Sequence, residues 1–337
     1  MVRIGVVGLG MMGTMHLGAY RKIADAQLVA ICDKDPKRAS GDFSDAWSNL
    51  GDTGIKKLDM TGLCGTTELT ELLQRSDVDV VDICLPTPFH ADAAIAALRA
   101  GKHVLCEKPL ARTSADAQRI AEAAQSAPGF FMPAMCMRFW PQWAWLKKAV
   151  DERRYGKVLG ASFYRMASMP PGWFSNGQWS GGALLDLHIH DTDFVHYLFG
   201  VPRAVFSRGY TKTSGCIDHV ATQYIYDTPE SPSLITAMGG WCMADGFGFR
   251  MRYLVNFEQA TVTHDITAAQ PFTVAQDGKV QEIQLEGDGY SAELAYFVDC
   301  VKSGRRPTTV TAQDAVTSIR ITEAEQGSID SGRVVEV

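Results

Sequence analysis

The sequence has no apolar run approaching the roughly 18 residues that a membrane helix needs, and it lacks a basic stripe, a Cys-x-x-Cys pair, an internal repeat and any low-complexity segment. Each absence removes a class of function. No membrane span is written in the chain. Lys plus Arg number 32 against 38 Asp plus Glu, a net charge of −6. No cationic surface is therefore available to displace phosphate counterions, and nucleic acid is not an expected partner. The eight cysteines, several of them inside apolar strand-like runs, read as buried free thiols with no disulfide or zinc role. Met1-Val2-Arg3-Ile4-Gly5-Val6-Val7 is an apolar strand that begins at once and leaves no room for a signal peptide, so the expected location is the cytoplasm. What is present is ordinary globular material, 46% hydrophobic and 21% charged. At about 150 residues per domain, the length of 337 gives two domains.

Residues 1–135 alternate short β-branched runs with Ala-rich amphipathic stretches. Strands are expected at Ile4–Val7, Leu28–Cys32, Val78–Leu85, His103–Cys106 and Phe130–Met135, with helices near Met12–Ile23, Glu68–Arg75, Ala91–Ala100 and Ala115–Gln125. Continuous apolar strands separated by helices imply a parallel sheet covered on both faces, hence a parallel α/β domain over residues 1–135. The Gly-, Asp-, Ser- and Thr-rich stretch Ser40–Gly65 reads as a surface excursion with one short helix at Asp45–Leu50. Beyond it, residues 136–337 form the second domain. After Pro141 the pattern changes to period-2 segments with short turns, roughly five strands of a mainly antiparallel sheet. The helix Ala183–Phe199 interrupts them, and two helices, Ala292–Lys302 and Ala312–Gln326, close an α+β domain. So few helices leave one sheet face without cover, and a homodimer or homotetramer is expected.

Gly8-Leu9-Gly10-Met11-Met12-Gly13 follows the first strand and opens a helix. Each glycine has a separate task in a dinucleotide site: the tight turn, the close approach of pyrophosphate, and the packing of helix on strand. The second strand ends at Asp33, where a carboxylate accepts hydrogen bonds from both adenosine ribose hydroxyls and repels a 2′-phosphate. NAD is therefore the expected cofactor over NADP, although Lys34, Lys37 and Arg38 stand close enough to offset that repulsion.

Further motifs carry a resemblance. Leu85-Pro86-Thr87-Pro88-Phe89-His90, the strand ending Glu107-Lys108-Pro109, Arg138-Phe139-Trp140-Pro141, and Gly181-Gly182-Ala183-Leu184-Leu185-Asp186-Leu187-His188-Ile189-His190 occur in the order seen in the Gfo/Idh/MocA oxidoreductases, which the chain closely resembles. The resemblance implies a Rossmann domain that binds a nicotinamide cofactor, followed by an α+β domain with a large open-faced, mainly antiparallel sheet. It also implies reversible oxidation of a secondary alcohol on a sugar, sugar derivative or cyclitol. Lys108 would stand near nicotinamide and substrate, with Asp186 and His190 as the acid/base pair. Pro86, Thr87, Pro88, His90 and Glu107 join Gly8, Gly10, Met11, Met12, Gly13 and Asp33 as cofactor-side candidates. Relatives that cleave glycosides through transient oxidation, and silent nucleotide-binding regulators, are the alternatives within the same resemblance.

The chemistry agrees. Removing hydride from a carbinol carbon requires a base for the hydroxyl proton, and imidazole suits that task at neutral pH. On a regular helix Asp186 and His190 are i and i+4 and share a face, an arrangement that also describes an exposed salt bridge. His188, where the family more often has glycine, falls on the opposite side of such a helix. Asp186, His188, His190 and Asp191 are also residue types that bind metals, but i and i+2 ligands do not share a helical face and no metal is expected. Arg138 reads equally as a substrate contact or as a structural ion pair. Trp173 and Trp179 read as a sugar platform or as core.

Overall fold

The computed structural model describes residues 1–46, 55–228 and 231–337. It divides into two compact units, Met1–Phe139 with Gly287–Val316 and Trp140–Glu286 with Thr317–Val337.

In the first unit, strands β1 (Val2–Val7), β2 (Ala26–Cys32), β3 (Cys64–Thr66), β4 (Val80–Ile83), β5 (His103–Glu107) and β6 (Phe131–Ala134) alternate with helices α1 (Met11–Tyr20), α2 (Pro36–Ala39), α3 (Leu69–Gln74), α4 (His90–Arg99) and α5 (Ser114–Ser126). The strands pair in the order β3-β2-β1-β4-β5-β6, every pair parallel. Ile4, Val6, Val80, Ile83, Val104 and Leu105 are fully buried, as strands covered on both faces must be. Strand order reverses between β1 and β4, the point at which an open α/β sheet leaves a crevice beyond its carboxyl ends. Neither α2 nor β3 was expected from the sequence, since four and three residues are too few to show a period. The helix expected at Asp45–Leu50 lies mostly outside the described residues.

The second unit begins with α6 (Pro141–Asp151), β7 (Val158–Ser168), α7 (Gly177–Ser180) and α8 (Ile189–Phe199), and continues through β8 (Ala204–Tyr210), β9 (His219–Ile225), β10 (Leu234–Met243), β11 (Arg250–Phe257), β12 (Thr261–Asp265), β13 (Phe272–Gln276) and β14 (Lys279–Glu282). Helices α9 (Gly289–Ser303) and α10 (Ala312–Ser331) and strand β15 (Val335–Glu336) complete the chain. From its sequence α9 was placed with the second domain, but it belongs to the first unit, packed on α1, with Lys302 paired to Asp25 at 2.8 Å.

Nine strands form the second sheet in the order β14-β13-β12-β11-β7-β10-β9-β8-β15. Among the described residues only β7 and β10 run parallel; the other pairs are antiparallel. The sheet exceeds the roughly five strands expected, because β12 to β15 are two to five residues long and alternation over so few positions is not distinctive. Period-2 burial is plain on β11, where Met251, Tyr253, Val255 and Phe257 face inward and Arg252, Leu254 and Asn256 are exposed. The inner face packs around Trp143, whose ring lies 5.8 Å from Phe163, 4.7 Å from Phe194 and 5.1 Å from Tyr253. On the other face Leu234, Met238 and Leu254 are exposed. Among the described residues no helix is long and apolar enough to cross a membrane.

Candidate active site

The turn between β1 and α1 leaves no room for side chains where the sequence has glycine. Gly8 lies at φ +87°, and a Cβ there would stand 2.7 Å from the Cys84 carbonyl oxygen. A Cβ on Gly13 would stand 2.0 Å from the oxygen of Gly8. Gly10 differs: a Cβ there would meet nothing within 4 Å, so its side of the loop is open. Met11 and Met12 begin α1, where the first backbone N–H groups of a helix have no partner within it and suit an anion. At the end of β2 the buried Asp33 accepts the Leu9 N–H at 2.7 Å and the Asp35 N–H at 2.9 Å, one on each carboxylate oxygen. Each oxygen keeps a lone pair for a further donor. Arg38 and Lys37, two of the cations able to offset Asp33, lie 2.9 and 3.8 Å from Asp45. An open glycine at a helix start, with a fixed carboxylate beside it, fits a dinucleotide.

Beyond β4 and β5 the cofactor-side candidates are tied to one another. Thr87 is buried in a 3-10 turn between Pro86 and His90, with Pro88 in the same turn. The His90 ring is buried with one nitrogen 2.7 Å from the Leu85 carbonyl and the other 2.9 Å from that of Pro109, so it links the two loops. Burial lowers its pKa despite both carbonyls. Glu107 is buried, with one oxygen accepting the Lys108 N–H at 3.0 Å and the other 3.2 Å from His16 Nε2. His16 Nδ1 lies 2.8 Å from Asp82, and Cys84 Sγ is 3.4 Å from the same nitrogen. Burial is the largest single influence on this imidazole and opposes its protonation. Asp82 and Cys84 together outweigh it, and the pKa stands well above the ordinary value. The Glu107 carboxylate thus joins a buried histidine of α1 to the backbone of Lys108, a half-buried residue at the end of β5. His16 was assigned only a structural place from its sequence, because its partners lie on other strands and no local spacing marks them. Arg138 is buried with its guanidinium 2.9 Å from the Thr309 carbonyl and 3.3 Å from Asp314.

In the second unit the glycines before Asp186 are again required by close backbone. Gly181 and Gly182 lie at φ +81° and +71°, and a Cβ on Gly182 would stand 2.5 Å from the Ile217 oxygen. Asp218 holds that neighbouring loop: one oxygen accepts the N–H groups of Lys212, Thr213 and Ser214, and the other accepts the Trp241 indole at 2.9 Å. Burial pushes the Asp218 carboxyl up, but these donors win and bring its pKa down to about 2. The segment that follows is not the regular helix expected. Leu184–His188 form a π-helical turn, and α8 begins at Ile189. Asp186 lies buried within the turn, and His190 is half-buried at the start of α8, about one turn onward.

Two donors of the metal alternative are committed elsewhere. Both Asp191 oxygens pair with Arg165, at 3.0 and 3.1 Å. His188 is fully buried, with Nε2 3.4 Å from both Glu325 and the Tyr224 hydroxyl. Trp173, half-buried, stacks on Phe174 at 4.2 Å, and Trp179 is half-buried in α7. Lys108 belongs to the first unit and Asp186 and His190 to the second.

Known proteins share this layout. The GFO/IDH/MocA family model for the oxidoreductase NAD-binding Rossmann fold matches residues 2–134, and the model for the GFO/IDH/MocA C-terminal domain matches residues 143–263. The chain is 28% identical to the myo-inositol 2-dehydrogenase of Thermotoga maritima, over 100% of this chain and 98% of the relative. It is 25% identical to the scyllo-inositol 2-dehydrogenase (NAD(+)) of Bacillus subtilis, over 100% and 96%. A solved levoglucosan dehydrogenase in complex with NADH and L-sorbose superposes with a TM-score of 0.84 at 22% identity, covering 100% of this chain and 98% of the other. At that identity the likeness speaks for the fold.

Proposed function

The chain belongs to the GFO/IDH/MocA oxidoreductase family, and on that premise we propose that it reversibly oxidises a secondary hydroxyl of a cyclitol or sugar, with NAD preferred over NADP. One observation carries this reading: a buried carboxylate at 186 precedes a half-buried imidazole at 190 on one helical run, in a chain whose other unit is shaped for a dinucleotide. The inositol dehydrogenases matched along nearly their whole length support the substrate class.

Bound NAD supplies the hydride acceptor, held by Gly8, Gly10, Gly13, the first turn of α1 and Asp33. His190 takes the hydroxyl proton. Asp186 orients the ring and offsets the charge that develops on it. Lys108 donates to the substrate oxygen and stabilises the alkoxide, and its backbone is fixed through Glu107 and through the His90 link to Pro109. Trp173 and Trp179 offer aromatic faces suited to the apolar side of a polyol ring. The contacts of Arg138 with Asp314 and the Thr309 carbonyl support its reading as a structural ion pair.

A cytoplasmic homodimer or homotetramer completes the reading. Its support is eight cysteines that are all free, as a reducing compartment keeps them, and the exposed Leu234, Met238 and Leu254 on one sheet face. The function is tested with a panel of inositols, aldoses and aryl glycosides offered with NAD or NADP, read by NADH absorbance. NADH formation from an inositol or aldose is expected. Sugar release from an aryl glycoside without net NADH would overturn the proposal.

A further inference from the structure

His188 occupies a place that the proposed chemistry does not use, two residues from Asp186 and two from His190. Its ring is fully buried and seated over Gly239 of β10, where a Cβ would stand 2.8 Å from His188 Nδ1 and 2.9 Å from its Cβ. Among the described residues Nδ1 has no hydrogen-bond partner. Nε2 faces the Glu325 carboxylate of α10 at 3.4 Å. That carboxylate also accepts the Tyr224 hydroxyl of β9 at 2.8 Å and the Thr192 hydroxyl of α8 at 3.2 Å. Glu325 and Thr192 are fully buried and Tyr224 nearly so. Residues of β9, β10 and α10 therefore meet the ring, and α8 reaches the same carboxylate through Thr192.

We infer that His188, held between the notch at Gly239 and the Glu325 carboxylate, is a positioning residue that keeps the π-helical turn in register and thereby sets where Asp186 and His190 lie. The inference rests on the reading in which that pair handles the proton. A π-helical turn is rare, and the same residues can compete for the commoner α-helical register by shifting their hydrogen bonds from i→i+5 to i→i+4. Any such change of register rotates the residues on one side of the turn against those on the other, and Asp186 lies within the turn while His190 lies beyond it. A ring wedged into a side-chain-free notch and facing a buried carboxylate resists that rotation, because leaving the seat would open a cavity at Gly239 and remove one of the three groups that face the carboxylate. The Tyr224 and Thr192 hydroxyls, both bonded to Glu325, hold in place the carboxylate that the ring faces.

The test compares His188→Gln, whose amide can donate toward Glu325, with His188→Ala, Gly239→Ala and the double variant His188→Ala/Gly239→Ala. Amide hydrogen exchange over residues 184–190, NAD affinity, and kcat and KM with myo-inositol are measured for each. His188→Ala and Gly239→Ala are expected to exchange about tenfold faster across the turn and to lose about 10- to 100-fold in kcat, with NAD affinity within about twofold of the parent. His188→Gln should stay within about threefold of the parent on every readout. The double variant refills part of the volume without restoring the partner, so its kcat should remain low. Unchanged exchange in His188→Ala overturns the inference, as does parental kcat in the double variant, which would reduce His188 to a packing residue. If His188→Ala does not fold, Glu325→Gln takes its place, with the same expectation and the same contrary result. His190→Ala is measured in parallel. Retained kcat there removes the proton-transfer reading and, with it, the role given to His188. A loss in His190→Ala beside an intact His188→Ala removes the positioning role alone.

Discussion

The two units build their sites in different ways. In the first, the determining feature is backbone: at Gly8 and Gly13 any side chain would strike carbonyl oxygens at 2.7 and 2.0 Å, so residue type follows from local geometry. In the second, the determining feature is a set of side chains gathered from distant segments. His188 meets Gly239, Tyr224 and Glu325, and the loop beneath the glycine pair is held by Asp218. Both units bury a histidine against carboxylate. His16 lies between Asp82 and Glu107, at 2.8 and 3.2 Å, and so links the glycine-loop helix to the backbone at Lys108. His188 has one carboxylate and a notch. A site held by backbone is written in consecutive residues, whereas one held by side chains is spread along the chain and tolerates more sequences.

That contrast can be broken most sharply at Gly13. Gly13→Val is expected to abolish NAD binding in calorimetric titration, a loss of more than about 100-fold, because the turn cannot close around a Cβ 2.0 Å from the Gly8 oxygen. Parental affinity would show that the loop is not dictated by its backbone. Asp218 is the counterpart in the second unit. Its folded pKa of about 2 lies below the unfolded carboxylate value, so it adds stability that is fully present above about pH 4 and is lost as pH falls toward 2. Asp218→Asn should cost about 2 kcal/mol at neutral pH in urea unfolding, remove that part of the acid dependence, and leave NAD affinity unchanged. A variant as stable as the parent would mean that the loop is held by something else. The smallest effect is expected at Asp33. Asp33→Ser should shift the preference from NAD toward NADP by about tenfold, the worth of one charged contact, measured by titration of both cofactors. Tighter NADP binding by the unaltered protein would contradict the assignment.

Much of the first unit was legible because a parallel sheet buried on both faces writes continuous apolar runs, and because the glycine loop and Asp33 are local signals. The order of Lys108, Asp186 and His190 was legible through family resemblance. The π-helical turn was not, since Asp186-Leu187-His188-Ile189-His190 reads as well on an α-helix, and the residues that pack against it, Gly239, Tyr224 and Glu325, lie far along the chain. Strands β12 to β15 escaped notice for want of length, and the return of α9 to the first unit could not be foreseen from its own amphipathic pattern, which shows that a face is buried but not against what. Glu107 and His90 were named from the sequence as cofactor-side candidates; their contacts with Lys108 and Pro109 became visible only in the structure.

In the mechanism proposed, His190 accepts the proton while the first unit holds NAD independently of it. The most direct measurement is the turnover of His190→Ala on the substrate that the panel identifies, together with its NAD affinity. A fall in kcat of about 10² to 10⁴ is expected, with NAD affinity nearly unchanged. Near-parental turnover in His190→Ala, with activity abolished in Lys108→Ala, would contradict it and make Lys108 the base.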